Sequence, residues 1–283
     1  MQSSRKMLVV FMAPATLLYI VFLVAPVSFF LAIGLMQYDA IDLYQPVLTL
    51  ANFARMVLDP YYRDMILLTL KIAAMTTVLT LLVGYPVAYL LARGRSAWRG
   101  VLMFLVVAPL MTGEIVRTYG WIVTLGSEGL INRALLGLGI IHTPLQLLNT
   151  QTAVVVAMVH ILLPFMIFPL ISALASQDPD LVRAADTLGA GRLRAFVEVT
   201  LPLSRTGIMI GSLLVFTLAA GAVVTPALLG GKNVQMLGQM IYDLVLHTLN
   251  WPLASACASI LLFLQLCFVF LQVRANRRAV RRS

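Results

Sequence analysis

Ionisable side chains are rare in this sequence, and those inside apolar runs are where any chemistry would have to happen. Glu114 lies within the run 100–125, beside Thr112 and Gly113, with Arg117 three residues on. An ionisable group at membrane depth costs roughly 2.5–3.5 kcal/mol even on a permissive insertion scale, so it faces a partner or a cavity. Two readings stay open: a Glu114–Arg117 pair that satisfies itself on one helix face, or a carboxylate on a solute path. Of the three histidines, His142, His160 and His247, only His160 is a candidate for that path. The three lack metal-ligand spacing, so no metal site is expected, and His160 also reads as a hydrogen-bonding group between helices. No nucleophile–base–acid arrangement is legible. Gly230-Gly231-Lys232 is like the end of a phosphate-binding loop, but Pro226 stands where that loop needs Gly and Asn233 where it needs Ser or Thr. The chain is therefore expected to bind no cofactor and to be no enzyme. If ATP drives it, ATP binds elsewhere.

The stretch 178–211 is patterned differently. A charged segment of that length between two hydrophobic runs must lie in water, yet it reads as structure. Asp178 can cap a helix whose first residue is Pro179, where the missing N–H costs nothing. Leu181, Ala184, Ala185 and Leu188 follow at i, i+3, i+4 and i+7 and form one apolar stripe. Gly189 stands where a helix end favours positive φ. A second short helix is predicted from Leu193 through Phe196 to Leu201, ended by Pro202. Beyond it, Gly207 and Gly211 are four apart, which lets another helix approach closely.

The elements that must position these residues are membrane spans. Of 283 residues 61% are hydrophobic and 11% charged, against roughly 25% charged in a soluble domain. Apolar runs at 7–35, 65–91, 100–125, 152–174, 205–229 and 251–273 each approach or exceed the ~20 residues that cross hydrocarbon. The fold class is therefore an all-α integral membrane protein with six transmembrane helices. The first run is too long for the h-region of a signal peptide. The expected organisation is a first span and external loop over 1–64, a core domain over 65–273, and a basic tail over 274–283. Short external helices are expected within 127–150 and over 237–249, the latter with Met240, Leu244 and His247 on one face. Cys257 and Cys267 share one apolar run and read as small packing residues. The formal charge of +9 would point to nucleic acid in a soluble protein, but the basic residues sit beside hydrophobic segments. Arg5, Lys6, Arg93, Arg95, Arg99, Arg183, Arg192, Arg194, Arg205 and the Arg274–Arg282 cluster share one side, against Arg55, Arg63, Arg133 and Lys232 on the other. That asymmetry puts both termini and the loop 178–203 in the cytoplasm.

Ala184-Ala185, Gly189-Ala190, Phe196, Val199 and Leu201-Pro202 resemble the EAA loop of type I binding-protein-dependent ABC importer permeases. In that family the loop, between spans 4 and 5, forms the coupling helix that docks on a cytoplasmic ATPase. The resemblance assigns coupling to Leu181, Arg183, Ala184, Ala185, Asp186, Leu188, Gly189, Ala190 and Phe196. Arg183 stands where the family usually has Glu, which leaves the docking outline intact and the charge of the contact open. Gly84-Tyr85-Pro86, the run from Arg117 to Trp121, Leu162 to Phe165, Thr225 to Gly231 and Asn250-Trp251-Pro252 are similar to the spermidine/putrescine branch. The resemblance implies ATP-binding cassette ATPase subunits that hold ATP and Mg, a second related permease, a periplasmic solute-binding protein and a bacterial inner-membrane location. A polyamine would call for acids and aromatic faces along its path; Glu114, Asp243, Tyr242 and Tyr119 are candidates, with Arg117 and His160 beside them. An ion-gradient-driven secondary transporter or channel is the alternative, and it predicts paired intramembrane acids and inverted repeats. A membrane subunit with no transport path would leave the patterned loop unexplained.

Overall fold

The computed structural model describes residues 12–14, 16–94, 98–187 and 189–280, without the side chains of 179, 182, 186 and 275–280. The chain forms two compact units, residues 1–63 with 240–262, and residues 64–239 with 263–283. By length and composition, four helices can cross a membrane: Met12–Ile33, Pro60–Arg93, Gln151–Ala175 and Trp251–Arg274. Two bent pairs, Arg99–Met111 with Glu114–Gly137 and Arg192–Leu203 with Arg205–Ala220, bring the number to six if each is one span.

In the first unit, the span Met12–Ile33 contains a π-helical turn at Ile20–Val24 and then α1, Ala25–Ile33. Pro26 explains the turn. Its ring would clash with the carbonyl four residues back, and widening the preceding turn, so that the Ala25 N–H reaches Ile20 O, moves that carbonyl aside. The polar segment that follows folds as an antiparallel hairpin, β1 (Met36–Asp39) and β2 (Leu43–Leu48), the one departure from an all-α fold among the described residues. Asp39 organises its tip: Oδ1 accepts from the Ile41 and Asp42 amides at 2.8 and 2.9 Å, and Oδ2 from Gln45 Nε2 at 2.6 Å. These bonds, the Asp42 amide first, hold its carboxyl below the ordinary range. Helix α2 (Ala51–Leu58) is tied back by Asn52, whose Nδ2 donates to the Gly34 and Met36 carbonyls.

The second unit carries most of α3 (Pro60–Arg93), then α4 (Arg99–Val107), α5 (Glu114–Leu125), α6 (Leu130–Gly137) and α7 (Gln151–Ala175). The expected third span, 100–125, is not one helix. Pro109 lies in a 3-10 turn, Ala108–Met111, Thr112 and Gly113 are extended, and the chain bends by 106° before α5. Helix α7 is the buried centre of the unit, with Pro164 and Pro169 inside it. Neighbouring helices make such prolines tolerable in a bundle.

The cytoplasmic segment of the sequence reading folds as α8 (Pro179–Thr187), α9 (Arg192–Ala195), a π turn at Phe196–Thr200 and α10 (Leu201–Leu203). Pro202 does not end the return helix at Leu201 as expected. The Leu201 N–H reaches Phe196 O, the same widening seen before Pro26, and the helix runs to Leu203. Helix α11 (Arg205–Ala220) then packs along α7. A Cβ on Gly207 would lie 2.7 Å from both Ala173 Cβ and Pro169 O, so the pair needs glycine. The expected fifth span, 205–229, stops at Ala220. Gly221 follows as its C-cap, and α12 (Val224–Leu229) is a separate short helix in which Pro226 falls in the first turn, where it costs no helix bond. Helix α13 (Leu237–Leu246) ends before His247, and α14 (Trp251–Val280) outruns its expected end at 273.

Candidate functional site

Two arrangements in the second unit could serve function: the water-facing loop and a polar cluster among α5, α7 and α12. In the loop, Asp178 Oδ1 accepts the Asp180 amide at 2.9 Å and so caps α8. Leu181 is exposed. Arg183 is exposed too and pairs with Asp180 at 2.7 Å, a contact that contributes little at a surface. The Ala184 carbonyl accepts the Thr187 hydroxyl, and the Ala185 carbonyl accepts the Ala190 amide at 3.0 Å. That last bond closes over Gly189, whose φ is +82°. Leu188 lies outside the described residues, and so does the side chain of Asp186.

The return helix is anchored where α8 is not. Phe196 is edge-on to Tyr85 and Tyr89 of α3, with centroids 5.6 and 6.0 Å apart. The Tyr85 hydroxyl lies 2.9 Å from the buried Ser204 Oγ. Gln177, just before α8, donates to Thr200 O at 3.2 Å and accepts from Arg93 Nη2 at 2.8 Å. Sequence reasoning found Phe196 but missed Tyr85, Tyr89, Gln177 and Ser204 as its framework. The i, i+4 spacing of the two tyrosines near the end of α3 was the available signal.

The second arrangement begins at the break before α5. Glu114 is the first residue of that helix rather than mid-span, a position the helix dipole favours for an acid. Glu114, Arg117, Thr118 and Trp121 lie at i, i+3, i+4 and i+7, on one face. No Glu114–Arg117 ion pair forms among the described residues. Each residue instead turns to a different helix. Arg117 Nη1 donates to Ile161 O of α7 at 3.4 Å, and Glu114 Oε1 accepts from Thr225 Oγ1 of α12 at 3.2 Å. Trp121 Nε1 donates to His160 Nδ1 at 3.4 Å, so His160 bonds across helices. A cavity of about 360 Å³ opens beside Glu114, Arg117 and Thr225, walled by apolar residues of α7 and α11. Tyr119 is exposed away from this face. Tyr242 and Asp243 belong to the first unit, where both contact His247, Asp243 at 3.3 Å. Thr118, Trp121 and Thr225 were missed, although the heptad-like spacing from Glu114 to Trp121 could have found the first two.

Residues 80–281 match the family described as binding-protein-dependent transport system inner membrane component. The chain belongs to this family. The permease is 36% identical over 258 residues to the spermidine/putrescine transport system permease protein PotB of Haemophilus influenzae, covering 91% of this chain and 90% of that protein. It is 34% identical to the Escherichia coli protein of the same name, at 91% and 94% coverage. Its fold is similar to a chain of a bacterial alginate ABC transporter solved with an alginate pentasaccharide-bound periplasmic protein, with a TM-score of 0.78 at 16% identity over 98% of this chain and 96% of that one. The permease is thus a multi-pass inner-membrane subunit of a type I ABC importer, a transport subunit rather than an enzyme.

Proposed function

We propose that this permease imports a polyamine cation, with a second related permease, ATP-binding cassette ATPases holding ATP and Mg, and a periplasmic solute-binding protein. The observation that carries the importer reading is the asymmetry of the loop. Among the described residues, α8 is mostly exposed and its hydrogen bonds are local, while the helix that returns to the membrane is fixed to α3 through Phe196, Ser204 and Gln177. An element built this way can be gripped by a partner and can pass the displacement on as a unit. In this reading the loop faces the cytoplasm, as the Lys/Arg asymmetry requires, and α8 sits in a groove of the ATPase. ATP-driven closure of the ATPases moves α8, and the 63° bend between the Arg192–Leu203 segment and α11 carries the movement into the bundle, which rocks and switches access. The polyamine part is supported by relatives named for spermidine and putrescine that match over nine-tenths of the chain.

The test is reconstitution of the permease with an ATPase, a second permease and a binding protein that assemble with it. Expected is uptake of radiolabelled spermidine or putrescine that requires ATP inside the cytoplasmic compartment. Uptake driven by an ion gradient without ATP would overturn the importer mechanism. ATP-dependent uptake of other solutes but neither polyamine would overturn the solute.

A further inference from the structure

The Glu114 carboxylate at the start of α5 has fewer donors than it can accept. Thr118 Oγ1 gives its proton to Glu114 O at 2.9 Å, and Thr225 Oγ1 gives its proton to Glu114 Oε1 at 3.2 Å. The two hydroxyl oxygens lie 3.3 Å apart, where either could donate to the other, so two protons serve three contacts. The Thr225 hydroxyl is the one donor to the Glu114 carboxylate among the described residues. Arg117, the one cation on that face, spends Nη1 on Ile161 O, and its buried Nε has no partner. Thr225 is almost wholly buried and lines the cavity together with Glu114.

The rest of the wall is apolar: Met158, Leu162, Leu218 and Val223 face the same space. A ligand that complements the Glu114 end of it carries N–H donors there, with methylenes behind against the apolar wall. Those are the properties of an alkylammonium, whose ammonium has three donors and no lone pair. We infer that the Glu114–Thr225 cavity is a cation subsite of this permease, taking one alkylammonium end of the transported solute. The inference rests on the polyamine reading above and goes further, because it gives the membrane subunit itself a charge-selective contact. Arg117 in the same cavity repels an ammonium ion, which keeps the site shallow, as a transit site must be if the solute is to leave.

The experiment uses the complete reconstituted complex, with spermidine uptake normalised to assembled complex. If wild type does not take up spermidine, the solute reading fails before the subsite is tested. If it does, Glu114→Gln is expected to lower kcat/KM by about tenfold or more, the loss of one charge-assisted contact. Arg117→Gln is expected to lower KM and kcat together, because a deeper site holds the solute longer, whereas Glu114→Gln raises KM. Charge is separated from packing with Glu114→Cys in a background lacking Cys257 and Cys267. Sulfonatoethyl methanethiosulfonate, which restores a negative charge, should recover uptake, and the trimethylammonium reagent of similar size should not. Wild-type uptake by Glu114→Gln, equal effects of the two adducts, or loss confined to Arg117→Gln would each overturn the subsite. Should the Gln variant fail to assemble, the two adducts, formed on the assembled Cys complex, decide alone.

Discussion

Replacing Gly189 tests the coupling role of the loop through backbone conformation alone. Its φ is +82°, and among the described residues no heavy atom beyond its chain neighbours lies within 4 Å of where a Cβ would stand. A side chain there therefore meets no neighbour among those residues, and its cost is that of the left-handed conformation, about 1–2 kcal/mol for an ordinary residue. A chain that relaxes out of this conformation instead loses the bond from the Ala190 amide to Ala185 O, worth about 0.5–1.5 kcal/mol. The first route lowers the population in which α8 is correctly presented roughly 5–30-fold, and the second roughly 2–13-fold. The series Gly189→Asn, Gly189→Ala and Gly189→Val should fall in that order, because Asn tolerates positive φ and a β-branched residue tolerates it least. Asn and Val are similar in size, so this order separates conformation from steric contact with the partner. The assay is co-purification of the ATPase and solute-stimulated ATP hydrolysis, with membrane insertion checked in parallel. A Val variant that inserts, retains the ATPase and hydrolyses ATP normally would refute the coupling assignment.

Two further outcomes are expected. Gly207→Ala should destabilise the permease by about 1–3 kcal/mol, since its Cβ would lie 2.7 Å from backbone Pro169 O, whereas Gly120→Ala on α5, with nothing within 4 Å, should be neutral or mildly stabilising; thermal melting in detergent reads both. In a background without Cys257 and Cys267, a cysteine at Ser176 or Arg192 should be protected from an impermeant thiol reagent outside spheroplasts, and one at Thr143 or Asn233 should label; reversed labelling would overturn the cytoplasmic placement of the loop.

The spans and the loop were legible for one reason: each is set by local pattern. Hydropathy alone gives the long helices, and the cap at Asp178, the stripe from Leu181 and the glycine at 189 give α8 and its turn without any tertiary contact. The breaks were harder, because proline is an ambiguous sign in a membrane chain. Pro86, Pro164 and Pro169 sit inside continuous helices, Pro226 sits in a first turn, and Pro109 sits at a 106° bend. What decides among them is whether the preceding carbonyls find other partners, and that depends on neighbours the sequence does not name. The π turns before Pro26 and Pro202 are a local answer to the same problem, used twice, and nothing in either five-residue segment marks it in advance.

The polar cluster was half legible for a related reason. Spacing of three residues made a Glu114–Arg117 pair reasonable, and the common face is real, but a face wider than one neighbour can be shared between two. Glu114 sits at the helix start, where α12 approaches, and Arg117 lies one turn further, beside α7. Their separation leaves the carboxylate with no ion pair among the described residues, at the edge of a cavity that Arg117 also lines, in a chain where such groups are costly. Other buried polar groups of the unit differ in this: Thr69 accepts the Leu237 amide and Gln177 is bonded at both ends, whereas the Thr76 and Thr80 hydroxyls have no hydrogen-bond partner among the described residues. On the subsite proposal, the single threonine bond to Glu114 is what leaves the carboxylate open to a cation, and the charge-restoring adduct at this position is the measurement that separates that role from packing.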